Sequence, residues 1–177
     1  NYKAIDQKYT TDRFMHQLQG GYTFSKKLQM ATIIAYTDYK RRTRTTRHDF
    51  EKDTDELTTG EGEQDISKFN SFAFRTTLQY QLSNKISLQP GVDINREEAS
   101  GQRILGNPVI TDYAAFVSAE IKPGAKINIR PGLRFIKNSV YDAPPVIPSI
   151  NTKFILTKQL DLRLAYAYGF RSPALRE

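Results

Sequence analysis

Leu160-Asp161-Leu162-Arg163-Leu164-Ala165-Tyr166-Ala167-Tyr168-Gly169-Phe170 decides how the chain is read. Leu160, Leu162, Leu164, Tyr166, Tyr168 and Phe170 fall at every second position, with Asp161, Arg163, Ala165, Ala167 and Gly169 between them. A period of two belongs to a β-strand, because successive side chains leave opposite faces of the pleat. One face is wholly apolar and ends in aromatics; the other mixes charge with very small side chains. Such a strand suits the boundary between hydrocarbon and a polar interior. Alternation alone also suits a soluble strand that turns its apolar side to a core.

Upstream the same rhythm repeats. Thr157-Lys158-Gln159 turns a strand with Ile150, Thr152, Phe154 and Leu156 in phase into the first stretch. Pro123-Gly124-Ala125-Lys126 joins Tyr113, Ala115, Val117, Ala119 and Ile121 to Ile127, Ile129, Leu133 and Phe135. Phe116 breaks that pattern, falling on the polar side with Asp112, Ala114, Ser118 and Glu120. The cleanest alternation sets Phe72, Phe74, Thr76, Leu78, Tyr80 and Leu82 against Ser71, Ala73, Arg75, Thr77, Gln79 and Gln81. Ser83-Asn84-Lys85 returns it through Ile86, Leu88, Val92 and Ile94. The first hairpin runs from Asp12 to Phe24, turns at Ser25-Lys26-Lys27, and returns from Leu28 to about Arg42. The connections alternate in length: these short turns are separated by Arg44 to Ile66, Glu97 to Pro108 and Asn138 to Val146, read as loops.

The expected fold is therefore all-β, an antiparallel meander of about eight strands in four hairpins. Short turns on one side and long loops on the other make it a segment of a transmembrane β-barrel. Strands of this length fit a tilted membrane span better than the usual soluble strand of about five or six residues. The turn-plus-strand units Lys27-Leu28-Gln29-Met30, Lys85-Ile86-Ser87-Leu88, Lys126-Ile127-Asn128-Ile129 and Gln159-Leu160-Asp161-Leu162 resemble one another. Pro90-Gly91 and Pro131-Gly132 interrupt two strands at matching offsets. A proline there removes a ladder hydrogen bond, so a bulge or bend is expected at both.

Composition narrows the chemistry. The 177 residues contain no Cys, which excludes disulfides, thiolate metal sites and cysteine nucleophiles. No apolar run approaches the roughly 18 residues of a membrane helix. The net charge is +7, with one dense cluster, Lys40-Arg41-Arg42-Thr43-Arg44-Thr45-Thr46-Arg47, followed by Asp49, Glu51, Asp53, Asp55, Glu56, Glu61, Glu63 and Asp65. The two runs are expected to neutralise one another in a solvated loop. Aromatics are not interleaved with the cations, so no nucleic-acid platform is read. Thr59-Gly60-Glu61-Gly62-Glu63 lacks the Lys-Ser/Thr of a phosphate loop, and Asp53-Thr54-Asp55 lacks the glycine and distal Glu of a calcium loop. His16 reads as a packed or interfacial side chain and His48 as a solvated one. No catalytic residue, metal site or cofactor is assigned, and the chain is not read as an enzyme.

Ala167-Tyr168-Gly169-Phe170-Arg171-Ser172-Pro173-Ala174-Leu175-Arg176-Glu177 resembles the barrel segment of TonB-dependent outer-membrane receptors. There a strand ends in Gly-Phe-Arg-x-Pro followed by a small residue, Leu and, one position on, an acid. Pro131-Gly132-Leu133-Arg134-Phe135 is similar to the preceding strand of that family. The resemblance implies outer-membrane localisation in a Gram-negative bacterium and active import of a scarce nutrient of the ferric siderophore, haem or cobalamin class. It also implies coupling to an inner-membrane energising complex through a plug domain. Residues 1–177 are expected to be a partial β-barrel domain, a piece of a longer protein whose plug and remaining strands lie outside it. A passive porin-like or adhesin-like barrel shares every physical feature above. A soluble carbohydrate-binding β-sandwich is the third reading, distinguished by apolar faces that meet in one core.

In the barrel reading Phe72, Phe74, Leu78, Leu162, Leu164, Tyr166 and Phe170 face lipid. Arg75, Gln79, Asp93, Arg130, Arg134 and Arg163 face the lumen and are the candidate ligand- or plug-contacting residues. Cut out of its barrel, such a segment has two open edges and a greasy face, and is expected to self-associate or curl closed.

Overall fold

The computed structural model describes residues 3–169. Nine strands form one antiparallel sheet: β1 (Lys3–Ser25), β2 (Leu28–Asp49), β3 (Thr54–Leu57), β4 (Ile66–Ser83), β5 (Ile86–Ser100), β6 (Val109–Gly124), β7 (Ile127–Asn138), β8 (Val146–Ile155) and β9 (Asp161–Ala167). Eight of them follow in sequence order across the sheet, and β3 pairs with β2 off that path. No helix is present among the described residues. The meander is as the alternation predicts, and β3 is the addition. Phe170 and the run after it lie outside the described residues.

Register makes the alternation of each strand agree with its neighbours. Ile34 stands opposite Leu18 on one side and Phe74 on the other; Phe74 stands opposite Ile94, and Ile94 opposite Tyr113. Directly opposed residues share a face, so one side carries Phe14, Leu18, Tyr22, Tyr36, Phe72, Val117, Leu133, Ile150, Leu162, Leu164 and Tyr166, all exposed. No large side chain is fully buried among the described residues, and the only buried hydrophobics are Ala99 and Ala114. Contacts run only between strands adjacent in the sheet. This is a single layer without a hydrophobic core of its own, which removes the sandwich. The edge strands β1 and β9 do not pair with each other, so the segment does not curl closed on itself.

Two hydroxyls sit midway along the apolar face. Thr32 and Thr76 stand opposite each other and share a 2.9 Å hydrogen bond. Pairing them removes the cost of an unmatched hydroxyl in apolar surroundings.

Three expectations are corrected. The stretch Arg44 to Ile66 is not a structureless loop: β2 continues to Asp49, and β3 pairs back on it from Thr46 to Asp49. β1 likewise begins at Lys3 rather than near Asp12. Along this extension Thr43 and Thr45 are buried while Arg42 and Arg44 are exposed. The period of two is present, but it alternates one polar type with another, and a hydrophobic pattern does not register it.

Second, Pro90 and Pro131 make no bulge. The register runs unbroken past both, from Ile86 opposite Ile121 to Glu98 opposite Val109, and from Ile127 opposite Phe154 to Phe135 opposite Val146. Only the rungs nearest each ring are missing, between Leu78-Gln79 and Gln89-Pro90 and between Ala119-Glu120 and Arg130-Pro131. Both strands are central, and each proline gives up its rung on one side only. The shifts in register fall beside three of the short turns, at Thr23/Ser25, Gln81/Ser83 and Ile121/Gly124.

Third, the basic and acidic runs do not meet in a solvated loop: Arg47 stands directly opposite Glu56 across β2 and β3, but among the described residues no ion pair joins the two runs. Asp49 pairs with Lys3 at 3.4 Å, and Asp55 takes the Nδ1 of His48 at 2.9 Å. His48 is thereby held rather than freely solvated, its ring edge-on to Phe50.

Candidate functional site

The polar face of the sheet carries three groups of charges, each built around one carboxylate. Asp93 on β5 is 3% exposed and stands directly opposite Arg75 on β4. Arg75 donates through Nε to Oδ1 and through Nη2 to Oδ2, the latter at 2.9 Å. Arg134 reaches the same Oδ2 from β7, two strands away, at 2.8 Å. A buried carboxylate is tolerable only when its lone pairs are taken, and these donors take them.

Phe116 explains how Arg134 spans that distance. It stands on β6 opposite Gly91 on one side and Arg134 on the other. A Cβ at Gly91 would collide with the Phe116 ring and lie 2.7 Å from the carbonyl oxygen of Thr76. The glycine is therefore what lets the ring lie across the sheet. The Arg134 guanidinium sits 5.8 Å from the ring centroid, a cation–π distance. The second glycine differs: a Cβ at Gly132 would meet the hydroxyl of Ser149 at 2.8 Å, a side-chain tip that can turn away.

The second group surrounds Glu120 on β6. It accepts from Arg130 Nη2 at 2.7 Å and Asn128 Nδ2 at 2.6 Å, and pairs with Lys122 Nζ at 3.3 Å. In the third, Lys153 and Asp161 pair at 2.8 Å, and Arg163 stands directly opposite Lys153. Between the second and third groups lies a cavity of about 430 Å³, lined by Asn128, Arg130, Asn151, Lys153 and Arg163 among others. The buried Oδ1 of Asn128 has no hydrogen-bond partner there. Asp93 and Glu120 are thus each shared by more than one cation, Asp161 pairs with Lys153, and the three groups together are left net positive.

Towards the far end of the same face the side chains become aromatic. Tyr39 and Phe69 are directly opposed, ring centroids 5.8 Å apart, and the Arg41 guanidinium lies 5.4 Å from the Tyr9 ring. Beyond them the first and second long connections interlock. Asp65 accepts the Gln102 amide N–H at 2.8 Å and the Ser67 hydroxyl at 2.7 Å. Gly62 N–H reaches Gln102 Oε1 at 3.2 Å, and Arg103 donates to the Glu61 carbonyl at 3.2 Å. Burial pushes the Asp65 carboxyl up, but these hydrogen bonds, the Ile66 N–H and nearby Arg103 hold it below its ordinary value. The Thr58 hydroxyl and Gly60 N–H, helped by Arg47 and Arg103, hold the Glu63 carboxyl below its ordinary value as well.

Among known families, the model described as TonB dependent receptor-like, beta-barrel, matches residues 1–177. The chain belongs to the TonB-dependent receptor family. No curated protein matches it. The match spans every strand described above, so the meander is a segment of that receptor barrel, and the family is one of outer-membrane receptors.

Within this receptor segment the candidate residues separate. Arg75, Asp93 and Arg134 come together in one network; Arg130 belongs to the Glu120 group; Arg163 lines the cavity beside it. Gln79 lies on the polar face opposite Gln29, away from all three groups. Residue-by-residue reading passes over Glu120, Asn128, Lys153, Phe116 and Gly91. Alternation places Glu120 and Asn128 on the polar face, but only the register brings them together. The one sequence signal for Phe116 is that it breaks the alternation, and its Gly91 partner follows a proline. Tyr9, Tyr39 and Phe69 fall where apolar alternation fades, and Arg41 is marked only as one member of the dense basic cluster.

Proposed function

We propose that the chain is part of the wall of an outer-membrane receptor that actively imports a scarce nutrient of the ferric siderophore, haem or cobalamin class. The observation that carries this reading is the division of the sheet: large hydrophobics stand exposed on one face, and the other gathers carboxylates under paired cations. In a bilayer the first face meets lipid and the second lines a lumen. The family's barrels have about 22 strands around a plug, so residues 1–177 supply roughly a third of the wall. The plug and the remaining strands lie outside them.

In this reading the polar face divides its work by depth. Those of Asp93 and Glu120 face the plug region and pair with it through the cations each carboxylate leaves over. Tyr9, Tyr39, Arg41 and Phe69, nearer the long connections, form the surface a planar anionic ligand meets first, through stacking and charge. Energy comes from the inner membrane through the plug, because a barrel wall has no energy source of its own.

The test is uptake by a strain lacking the full-length gene. Under limitation for the nutrient, wild-type cells accumulate the labelled ligand and lose that ability when the proton gradient is collapsed. Arg41→Gln with Tyr39→Ala is expected to raise the half-saturating ligand concentration about tenfold, with assembly unchanged. Uptake that survives collapse of the gradient and scales linearly with ligand concentration establishes the passive porin reading instead.

A further inference from the structure

The short-turn end of the sheet carries a charge of its own. Lys26, Lys27, Lys85, Lys126 and Lys158 stand in the four short turns, all exposed, and no ion pair engages them among the described residues. The carboxylates that adjoin these turns in sequence, Glu120 and Asp161, are already taken, the first by Arg130 and Lys122 and the second by Lys153. Three of the lysines occupy equivalent places. Lys27, Lys85 and Lys126 each immediately precede Leu28, Ile86 and Ile127, the residues that open or lead into the returning strands. Each is also tied to the next hairpin through its carbonyl, which accepts the N–H of Gln81, Lys122 and Ile155 respectively, at 2.8 Å each time. The three are thereby held at one level along the rim. Neighbouring strands lie about 4.8 Å apart, so successive turns, two strands on, are about 10 Å apart.

We propose that this rim binds the phosphates of anionic glycerophospholipids in the leaflet it faces. The inference rests on the membrane placement proposed above. Leu28, Ile86 and Ile127 belong to the apolar face, directly opposite Tyr80, Ile121 and Phe154. Each lysine backbone therefore sits one residue, about 3 Å, beyond the last apolar row. Its stem lies along that row while the ammonium stays among the headgroups. Cations spaced along a line at about 10 Å meet a plane of separate phosphates, whereas one small anion needs donors that converge. The turns offer a protein partner no anchor: beside the lysines, Asn84, Pro123, Gly124, Ala125 and Thr157 are small or polar, and protein hot spots are enriched in large aromatics and Arg. A zwitterionic lipid gains little, since its own ammonium offsets its phosphate. A lysine close to an anionic surface contributes about a fivefold preference, so three together exceed about tenfold.

The experiment uses the full-length receptor in detergent, offered phosphatidylglycerol and phosphatidylethanolamine in equal amounts, with free glycerol phosphate and a polyglutamate peptide as competitors. Bound lipid is read by native mass spectrometry, and assembly by heat-dependent gel mobility. Wild type is expected to retain phosphatidylglycerol over phosphatidylethanolamine by at least about tenfold. Lys27→Gln/Lys85→Gln/Lys126→Gln loses that preference, and the charge-matched Lys40→Gln/Arg44→Gln/Lys68→Gln, at the other end of the sheet, keeps it. Equal preference in wild type and the turn variant, or the same loss in both variants, overturns the inference while leaving the barrel reading intact. Displacement of the lipid by glycerol phosphate, which marks a site for a small anion, or by polyglutamate, which marks a docking face for an acidic protein, overturns it in the same way. A receptor that never forms a heat-modifiable barrel overturns both. Should the triple turn variant fail to assemble, the single variants decide: a fall of about two- to fivefold in at least two of them supports the row, and a fall in one or none refutes it.

Discussion

Thr76 and Thr77 are the same residue type at adjacent positions, and the sheet sends them to opposite faces. Thr76 lies midway between Phe72 and Tyr80, which at about 3.3 Å per residue are about 26 Å apart along β4, or roughly 20 Å along the normal for a 40° tilt. It is thus close to the centre of the apolar belt, bonded to Thr32. Thr77 faces the other way, opposite Ala31 and Gly91. An arginine near the bilayer midplane costs about 2–4 kcal/mol, and loss of the Thr32 bond adds about 1 kcal/mol. Thr76→Arg is therefore expected to destabilise the full-length receptor by about 3–5 kcal/mol. Thr77→Arg meets water and polar side chains and is expected to cost about 1 kcal/mol or less. Urea titrations of both variants folded into lipid vesicles, followed by heat-dependent gel mobility, measure the difference. If the two costs agree within about 0.5 kcal/mol, the faces do not meet different solvents, and the assignment of lipid and lumen fails.

Asp93→Ala deprives two guanidiniums of their shared acceptor; since Arg75 and Arg134 are partly exposed and can rehydrate, a loss of about 2 kcal/mol is expected in the same titration. A double-mutant cycle between Asp93→Ala and Arg134→Leu should return a coupling near 1 kcal/mol. Gly91→Ala meets both the Phe116 ring and a backbone carbonyl and should cost about 2–3 kcal/mol, whereas Gly132→Ala, facing a hydroxyl that can turn away, should cost under about 1 kcal/mol. Because the folded carboxyl of Asp65 lies below its ordinary value of 3.8, its contribution is present above that pH and is lost as pH falls through the folded value. The protection factor of the Gln102 amide, its exchange rate corrected for the intrinsic pH dependence, should therefore fall on acidification in wild type and be low at all pH values in Asp65→Asn.

What the sequence made legible follows from what alternation can express. Period-two runs of large apolar residues, such as Phe72 to Leu82, gave both the strand and its face, because hydrophobic contrast between the faces is strong there. The extension of β2 past Arg42 was missed because Thr43 and Thr45 alternate with Arg42 and Arg44, and both faces read as polar. The site was legible by face and not by partner. Arg75, Asp93 and Arg134 could be placed on the polar side from parity alone. That Arg134 reaches across β6 to Asp93 depends on register between strands far apart in sequence. That information resides in no single run of residues.

The departures from pattern in the central hairpins belong to one device. Pro90, Gly91 and Phe116 each violate the local rule for a strand between lipid and lumen: a ring without an N–H, a residue without a side chain, and an aromatic on the wrong side. In the sheet the proline keeps its ring on the apolar face and gives up a rung only towards β4. The glycine that follows clears the polar face at the position where Phe116 lies down. The recumbent ring then lies under the Arg134 guanidinium, which reaches on to the buried Asp93. None of the substitutions is favourable alone. Together they convert a solvated wall into a fixed group of charges. The same logic predicts that Phe116→Ala weakens the Arg134–Asp93 coupling more than the Arg75–Asp93 coupling, since Arg75 approaches from the neighbouring strand and does not cross the ring.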